Sequence, residues 1–189
     1  MKLEHWFPTP IWFEQTSVSV EPIRRKCLEL RDQGFENRVK SNRGGWQSDD
    51  IYFDKFLEFA EMENVIRDKL NEIAPLINPS LKLAPSNVWI NINKKGDFNA
   101  KHFHPCAAMS GVFYVSCNSL SGKVRFFPYN LQQHYPIDTT GSSIFYEHVT
   151  YTPSNGLLLI FPSWLEHEAE TCQSTEDRIS IAFNINQVS

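Results

Sequence analysis

The spacing of apolar residues changes from a helical period to an alternating one near Leu81, and this change constrains the fold more than any other feature of the sequence. Two apolar stripes precede it, and their spacings of 3 and 4 residues are typical of amphipathic helices. Pro22 falls in the first turn of the first stripe, where proline is tolerated, and Pro79 follows the second. The stripes consist of Val20, Ile23, Cys27 and Leu30, and of Phe59, Met62, Ile66, Leu70, Ile73 and Ile77.

Beyond Leu81, apolar and polar residues alternate in short runs separated by Gly, Pro, Asn and Ser, which predicts β-strands. Residues 3–13 contain two prolines and predict an edge strand or an extended lead, whereas residues 42–50 (NRGGWQSDD) predict a loop. This many short strands indicates a sandwich, a jelly roll or a barrel, with the helices packed outside. The predicted strands are residues 88–93, 111–116, 123–127, 144–151, 157–161 and 178–186.

The length of 189 residues predicts one domain over residues 1–189, with helical support mainly in 14–80 and the strand core mainly in 81–189. The net charge of −4 disfavours a nucleic-acid partner, which calls for a basic surface. The longest apolar run, 156–165, is far shorter than the ~20 residues of a membrane-spanning helix. No CxxC pair is present, which is typical of reduced thiols, and we therefore expect a cytoplasmic protein without a membrane segment. The cysteines are Cys27, Cys106, Cys117 and Cys172.

Two histidines, His102 and His104, stand at i and i+2 in the segment KGDFNAKHFHP. If this segment is extended, both imidazoles point to one side, where they can share a metal ion. A third histidine, His167, follows the apolar strand 157–161. The other histidines have no such pattern around them, and we expect structural roles for His5, His134 and His148.

The last predicted strand has a polar face. Arg178, Ser180 and Asn184 lie on that face, and the opposite face consists of Ile179, Ile181, Phe183 and Ile185. The polar face is directed either to solvent or to the interior of a barrel that holds an anion.

Taken in this order, the HxH pair, the FPxxxxH segment and the Arg-x-Ser pair resemble the Fe(II)- and 2-oxoglutarate-dependent oxygenases. The resemblance is greatest to the branch near the prolyl 4-hydroxylases seen in bacteria and phages. It implies a mostly β fold with flanking helices, built on a double-stranded β-helix (jelly roll, cupin-like). It also implies an enzyme that decarboxylates 2-oxoglutarate to succinate and CO2 with Fe(II) and hydroxylates a substrate. The similar segments are FPTPIW, SNRGGWQS, WININKKGDFNAKHFHP, MSGVFYV, GLLLIFPSWLEHEAE and DRISIAFN.

The metal ligands implied by the resemblance depart from the family pattern at one position. The family has a carboxylate where this chain has His104, so the direct transfer gives a site of three histidines. Asp97 is an alternative carboxylate ligand, whereas Glu166 and Glu168 are poor candidates because they would point away from the neighbouring histidine in an extended chain. The implied ligands are His102, His104 and His167.

The resemblance also implies a cosubstrate site. Arg178 would bind the far carboxylate of 2-oxoglutarate, since arginine gives two parallel hydrogen bonds to a carboxylate, and Ser180 would add another. Asn93 stands where the related pattern has a tyrosine, and with Tyr114 it is a further candidate contact to this carboxylate. Both are otherwise ordinary strand residues. Trp89 is a candidate for the substrate pocket or for the core.

Two other functions fit the same residues. One is a cupin-like metalloenzyme with three histidines that does not use 2-oxoglutarate, and the other is a non-catalytic jelly-roll binding module. In the enzyme reading we expect a small-molecule or peptide substrate, and the sequence leaves a homo-oligomer open. Because histidine ligands must be neutral, iron affinity is expected to fall steeply below about pH 6.

Overall fold

The computed structural model describes residue 2 and residues 8–34, 36–128 and 147–188. These residues form two antiparallel β-sheets, which confirms the predicted fold class. The six-stranded sheet has the order β1-β9-β6-β11-β4-β3, and the five-stranded sheet has the order β2-β5-β10-β7-β8. The strands are β1 (Trp12–Gln15), β2 (Asn42–Arg43), β3 (Trp46–Gln47), β4 (Leu83–Asn93), β5 (Phe98–His102), β6 (Met109–Ser116), β7 (Val124–Phe126), β8 (Val149–Tyr151), β9 (Leu157–Pro162), β10 (His167–Ala169) and β11 (Arg178–Gln187).

Both predicted helices are confirmed, as α1 (Val20–Asp32) and α2 (Ala60–Ile77). Two short 3-10 turns, Phe53–Lys55 and Leu57–Phe59, precede α2. The apolar stripes of the helices pack on one face of the six-stranded sheet and form the larger core with its strands. The members of this core contributed by β11 are Ile179, Ile181, Phe183 and Ile185.

A second, smaller core lies between the two sheets. It joins Tyr114 and Phe161 of the six-stranded sheet to Phe126 of the five-stranded sheet. Because one face of β11 is taken by the helices, its polar face is directed into the space between the sheets. Arg178 and Ser180 are both buried, so the polar face of β11 is directed to the interior and not to solvent.

The prediction of a loop over residues 42–50 is wrong in part, because this segment contributes a strand to each sheet. β2 pairs with β5 and β3 pairs with β4, so the chain crosses between the sheets here. The crossing turn consists of Gly44 and Gly45 with φ of 69° and 68°, a conformation that favours glycine. Two-residue strands leave no alternating pattern to recognise, which is why the segment reads as a loop.

The ends of several predicted strands shift, most of all that of β4, which begins at Leu83 and not at residue 88. The N-terminal extended segment appears as β1 at the edge of the six-stranded sheet, and β8 begins at Val149. Residues 3–7 and 144–146 of these predictions lie outside the described residues, as do His5 and His134. All four cysteines are free thiols, and Cys106 and Cys117 are the two that are not buried. No helix in the described part of the chain is long and apolar enough to cross a membrane.

Candidate metal and anion site

Neighbouring strands of the five-stranded sheet bring two of the predicted metal ligands together. His102 at the end of β5 is directly opposite His167 at the start of β10, and their ring centroids are 4.3 Å apart. His104 follows β5 by two residues, and its Nε2 atom lies 3.3 Å from Nε2 of His102. Of the described His, Cys, Asp and Glu side chains, these three alone form a group able to hold one metal ion, with ligand atoms within 4.8 Å of one another.

Backbone carbonyl groups fix the orientation of two of the rings. Nδ1 of His102 lies 2.8 Å from the carbonyl oxygen of Ala100, and Nδ1 of His167 lies 2.9 Å from that of Leu165. A carbonyl oxygen only accepts hydrogen bonds, so each Nδ1 must carry the proton. Each Nε2 then presents a lone pair to the centre of the group, the arrangement in which histidine binds metals.

The third ring has side-chain partners instead. Nδ1 of His104 lies 2.8 Å from Oδ1 of Asn184 and 2.9 Å from Oγ of Ser110. Since the amide oxygen is an acceptor, His104 also presents Nε2 as a lone pair. Two such lone pairs 3.3 Å apart, on His104 and His102, repel unless a cation lies between them. Ligands about 2.1 Å from a metal and at right angles are ~3 Å apart, so this spacing fits a shared ion.

The carboxylate alternatives do not join the group. Asp97 is held in the turn between β4 and β5, where its Oδ2 accepts a hydrogen bond from the backbone N–H of Lys94 at 2.7 Å. It packs against the Gly44 turn so closely that a Cβ atom on Gly44 would clash with its carboxylate. Glu168 forms an ion pair with Arg125 at 3.0 Å. Neither of these carboxylates, nor that of Glu166, belongs to the metal-binding group of the described residues.

Burial keeps the three histidines neutral. Burial lowers the pKa of His104 to about 4, with a smaller contribution from His102 in the same direction and an opposing one from Asn184. It also lowers the pKa of His102 and, more strongly, that of His167. The rings of Phe126 and Phe161 pack against His167 with centroids 5.8 and 4.8 Å away, which accounts for its dry surroundings. Iron affinity should therefore hold to lower pH than the value near 6 expected from free histidine.

The metal-free protein is expected to lose stability as the pH falls from about 6.5 to about 4. In this range the unfolded chain takes up protons on histidines that the folded site keeps neutral, so acid favours unfolding. For His104, with a folded pKa of about 4, the loss between pH 7 and pH 5 is on the order of 2 kcal/mol. Urea unfolding at the two pH values measures it. A His104→Gln variant should show a smaller difference, and an equal difference would contradict the assignment.

Arg178 is a buried cation without an anionic partner. It is 2% exposed, and the described residues provide no carboxylate within ion-pair distance. Its Nη1 donates to the carbonyl oxygens of Ser121 at 2.8 Å and Glu170 at 3.2 Å, whereas its buried Nη2 has no partner among the described residues. Burial lowers the pKa of Arg178, but arginine remains charged in proteins. An unpaired buried charge is costly, and a ligand carboxylate would remove that cost.

A cavity of about 410 Å³ connects the histidines with Arg178. Tyr114 and Ser180 also line it, and they are cross-strand neighbours. Burial raises the pKa of Tyr114, so its hydroxyl stays protonated as a hydrogen-bond donor. Trp89 also lines the cavity, half-buried, with its ring centroid 5.4 Å from that of His104. This position supports a role of Trp89 in the substrate pocket rather than in the core.

Asn93 is placed differently from the prediction. It lies beside Arg178 in the register of β4 and β11 but does not line the cavity. Asn91, two residues earlier, does line the cavity. The Oδ1 atoms of Asn91 and Asn93 are buried and have no hydrogen-bond partner among the described residues. The polar face of β4 was visible in the sequence, but periodicity alone does not show where along the strand the cavity ends.

Fold and site together define a double-stranded β-helix protein in which one cavity is lined by three histidines that could hold a metal ion and by the buried Arg178. A sequence profile described as "Putative 2OG-Fe(II) oxygenase" matches residues 87–184, just over half of the chain. The chain therefore belongs to the family of 2-oxoglutarate-dependent Fe(II) oxygenases. No curated protein matches the sequence.

Solved structures share the fold at low sequence identity. A prolyl-4-hydroxylase from Pseudomonas putida is 12% identical with a TM-score of 0.71, over 96% of this chain and 94% of that one. The viral collagen prolyl hydroxylase of Paramecium bursaria Chlorella virus-1, solved with 2-oxoglutarate, is 12% identical with a TM-score of 0.64 over 94% and 96%. HygX of Streptomyces hygroscopicus, with nickel and 2-oxoglutarate bound, is 13% identical with a TM-score of 0.61 over 94% and 83%.

Proposed function

We propose that the protein decarboxylates 2-oxoglutarate to succinate and CO2 and hydroxylates a small-molecule or peptide substrate. One observation carries the proposal: a single cavity contains three converging Nε2 atoms and a buried guanidinium that lacks an anion. A metal enzyme that does not use a carboxylate cosubstrate has no need for the second feature. This distinguishes the proposal from a three-histidine metalloenzyme without 2-oxoglutarate.

The donor set fits Fe(II). Non-haem oxygenases need three protein ligands on one face of the ion, and imidazole nitrogen is a suitable ligand for iron. His102, His104 and His167 would supply these ligands. Bound Fe(II) would supply the activation of dioxygen, coupled to oxidative decarboxylation of the cosubstrate and transfer of one oxygen atom to the substrate.

Arg178 and its neighbours in the cavity would orient the cosubstrate. Arg178 would pair its free Nη2 with the far carboxylate of 2-oxoglutarate, and the hydroxyl groups of Ser180 and Tyr114 would donate further hydrogen bonds. Such contacts fix the 2-oxo end at the histidines because the other end is anchored. Phe161 and Trp89 line the same cavity, and their apolar rings would limit the access of water to the metal group.

A neutral third histidine also changes the charge of the site. Three imidazoles, Fe(II) and the dianion of 2-oxoglutarate sum to zero, whereas a carboxylate ligand would leave a net charge of −1. Arg178 in the same cavity adds one positive charge, so the whole site would sum to +1 with three histidines and to zero with a carboxylate ligand.

An anaerobic titration of the Fe(II)-loaded protein with 2-oxoglutarate tests the proposal. We expect a saturable metal-to-ligand charge-transfer band that glutarate, which lacks the 2-oxo group, does not produce. Admission of oxygen should then yield succinate. Stoichiometric metal binding with neither band nor succinate would favour the three-histidine metalloenzyme that does not use 2-oxoglutarate.

A further inference from the structure

A cluster of polar side chains, in which Ser110 and Ser163 are buried and Asn184 is partly buried, surrounds Nδ1 of His104. Ser110 in β6 and Asn184 in β11 are cross-strand neighbours, and both contact this nitrogen. Oγ of Ser110 also lies 2.7 Å from Oγ of Ser163 and 3.1 Å from Oδ1 of Asn184. Ser163 accepts a hydrogen bond from the backbone N–H of His104 through its carbonyl oxygen at 2.9 Å.

The protons of this cluster can be placed in one consistent way. Oδ1 of Asn184 has two lone pairs and accepts from both His104 Nδ1–H and the hydroxyl of Ser110. The hydroxyl of Ser163 then donates to Oγ of Ser110. If the amide of Asn184 presented its NH2 group instead, Nδ1 would have to accept. The ring proton would then lie on Nε2 and block metal binding.

The other two histidines do not depend on side chains in this way. Backbone carbonyl oxygens fix the tautomers of His102 and His167, and these acceptors are present whatever the side chains are. His104 is the ligand that occupies the position of the family's carboxylate, which needs no tautomer. A histidine at this position requires an acceptor behind it.

We propose that Asn184 is the positioning residue that makes His104 a metal ligand, with Ser110 and Ser163 holding its amide oxygen toward Nδ1. This inference rests on the metal site of the proposed function, but it concerns metal binding alone and not 2-oxoglutarate. Loss of the hydrogen-bond partner of a metal-binding histidine typically costs 10–100-fold in metal affinity.

Binding of Co(II), followed by its visible absorption, tests the proposal on the full chain without cosubstrate. Asn184→Leu removes the amide oxygen and leaves only the hydroxyl of Ser110, 2.9 Å from Nδ1, which can either accept from or donate to this nitrogen and so does not fix the tautomer. We expect the Kd of this variant to rise by about 10–100-fold. Asn184→Asp keeps an acceptor oxygen at the same place and should bind Co(II) at least as tightly as the native protein. Asn186→Ala is the matched control, because Asn186 is on the same strand and bonds to Ala108 and Ser86 rather than to a histidine.

Nitrogen NMR of the imidazole rings in the metal-free protein gives an independent measurement. We expect His104 as the Nδ1–H tautomer in the native protein and in Asn184→Asp, and a mixture of tautomers in Asn184→Leu. A native His104 that carries its proton on Nε2 would overturn the proposal. So would equal Co(II) affinity in Asn184→Leu and the native protein, or a loss in Asn184→Asp as large as that in Asn184→Leu.

The two proposals can fail separately. If Asn184→Leu does not fold, the Co(II) affinity of Asn184→Asp and the tautomer of His104 in the native protein still test the proposal. If Co(II) binding follows the acceptor while 2-oxoglutarate gives no charge-transfer band, the positioning role of Asn184 stands and the proposed function does not.

Discussion

A His167→Ala variant is expected to lose stoichiometric Fe(II) and to form succinate at a rate lower by on the order of a thousandfold or more. His167 is the most buried member of the metal group and directly faces His102 across β10 and β5. Without it, two imidazoles remain, and the facial set of three ligands is broken. The measurements are metal content after gel filtration and succinate formation under saturating 2-oxoglutarate.

The control for this variant is His148→Ala. His148 is exposed, and it lies outside the metal-binding group of the described residues. It should keep both metal and activity. Because His167 also packs against Phe126 and Phe161, circular dichroism must show that the variant is folded. A folded His167→Ala protein that retained one Fe(II) per chain would remove His167 from the ligand set.

Much of the fold could be predicted because long amphipathic patterns survive tertiary packing. The helix α2 has eighteen residues to show its period, and the alternation identifies β11 and residues 88–93 of β4, whereas residues 83–87 of β4 do not alternate. β10 was not predicted because three residues, one of them Glu168, carry no period. It nevertheless supplies His167 and pairs it with His102, so a short strand determines the geometry of the metal group.

The residues of the candidate site could likewise be predicted only where they form local sequence patterns. The HxH spacing and the Arg-x-Ser face are local patterns, and the structure brings the residues that carry them to one cavity. The partners behind His104 come from β6, β11 and the segment after β9, so no local pattern links Ser110, Ser163 and Asn184. Asn184 was recognised only as part of the polar face of its strand. Its contact with a histidine eighty residues away arises from the strand order.

The net charge of the cavity depends on both the three histidines and Arg178. The three histidines are neutral. Among the residues proposed to bind iron and 2-oxoglutarate, Arg178 therefore carries the one charge, and it is buried without a counterion among the described residues. Its two backbone acceptors, the carbonyl oxygens of Ser121 and Glu170, hold Nη1 but do not neutralise the guanidinium. The ligand-free protein therefore holds a buried guanidinium without a counterion among the described residues, at a cost in stability.

An Arg178→Met variant is accordingly expected to separate stability from cosubstrate binding. Removing a buried unpaired charge relieves its desolvation cost but leaves the carbonyl oxygens of Ser121 and Glu170 without their donor. These effects oppose each other, so the ligand-free melting temperature should change little. Affinity for 2-oxoglutarate should fall by about 2–5 kcal/mol, or roughly thirtyfold to several thousandfold, since a buried carboxylate loses its charged partner.

Thermal unfolding with Mn(II) as an inert metal measures both effects in one experiment. At about 100 times Kd, 2-oxoglutarate stabilises a protein by ~2.7 kcal/mol, which for a chain of this size raises the melting temperature by roughly 5–10 °C. Arg178→Met should lose this shift. Arg67→Met, which alters an exposed helix pair with Glu63, should keep it. An Arg178→Met protein that retained the shift would place the cosubstrate carboxylate elsewhere in the cavity, whose lining also includes the cation Lys40.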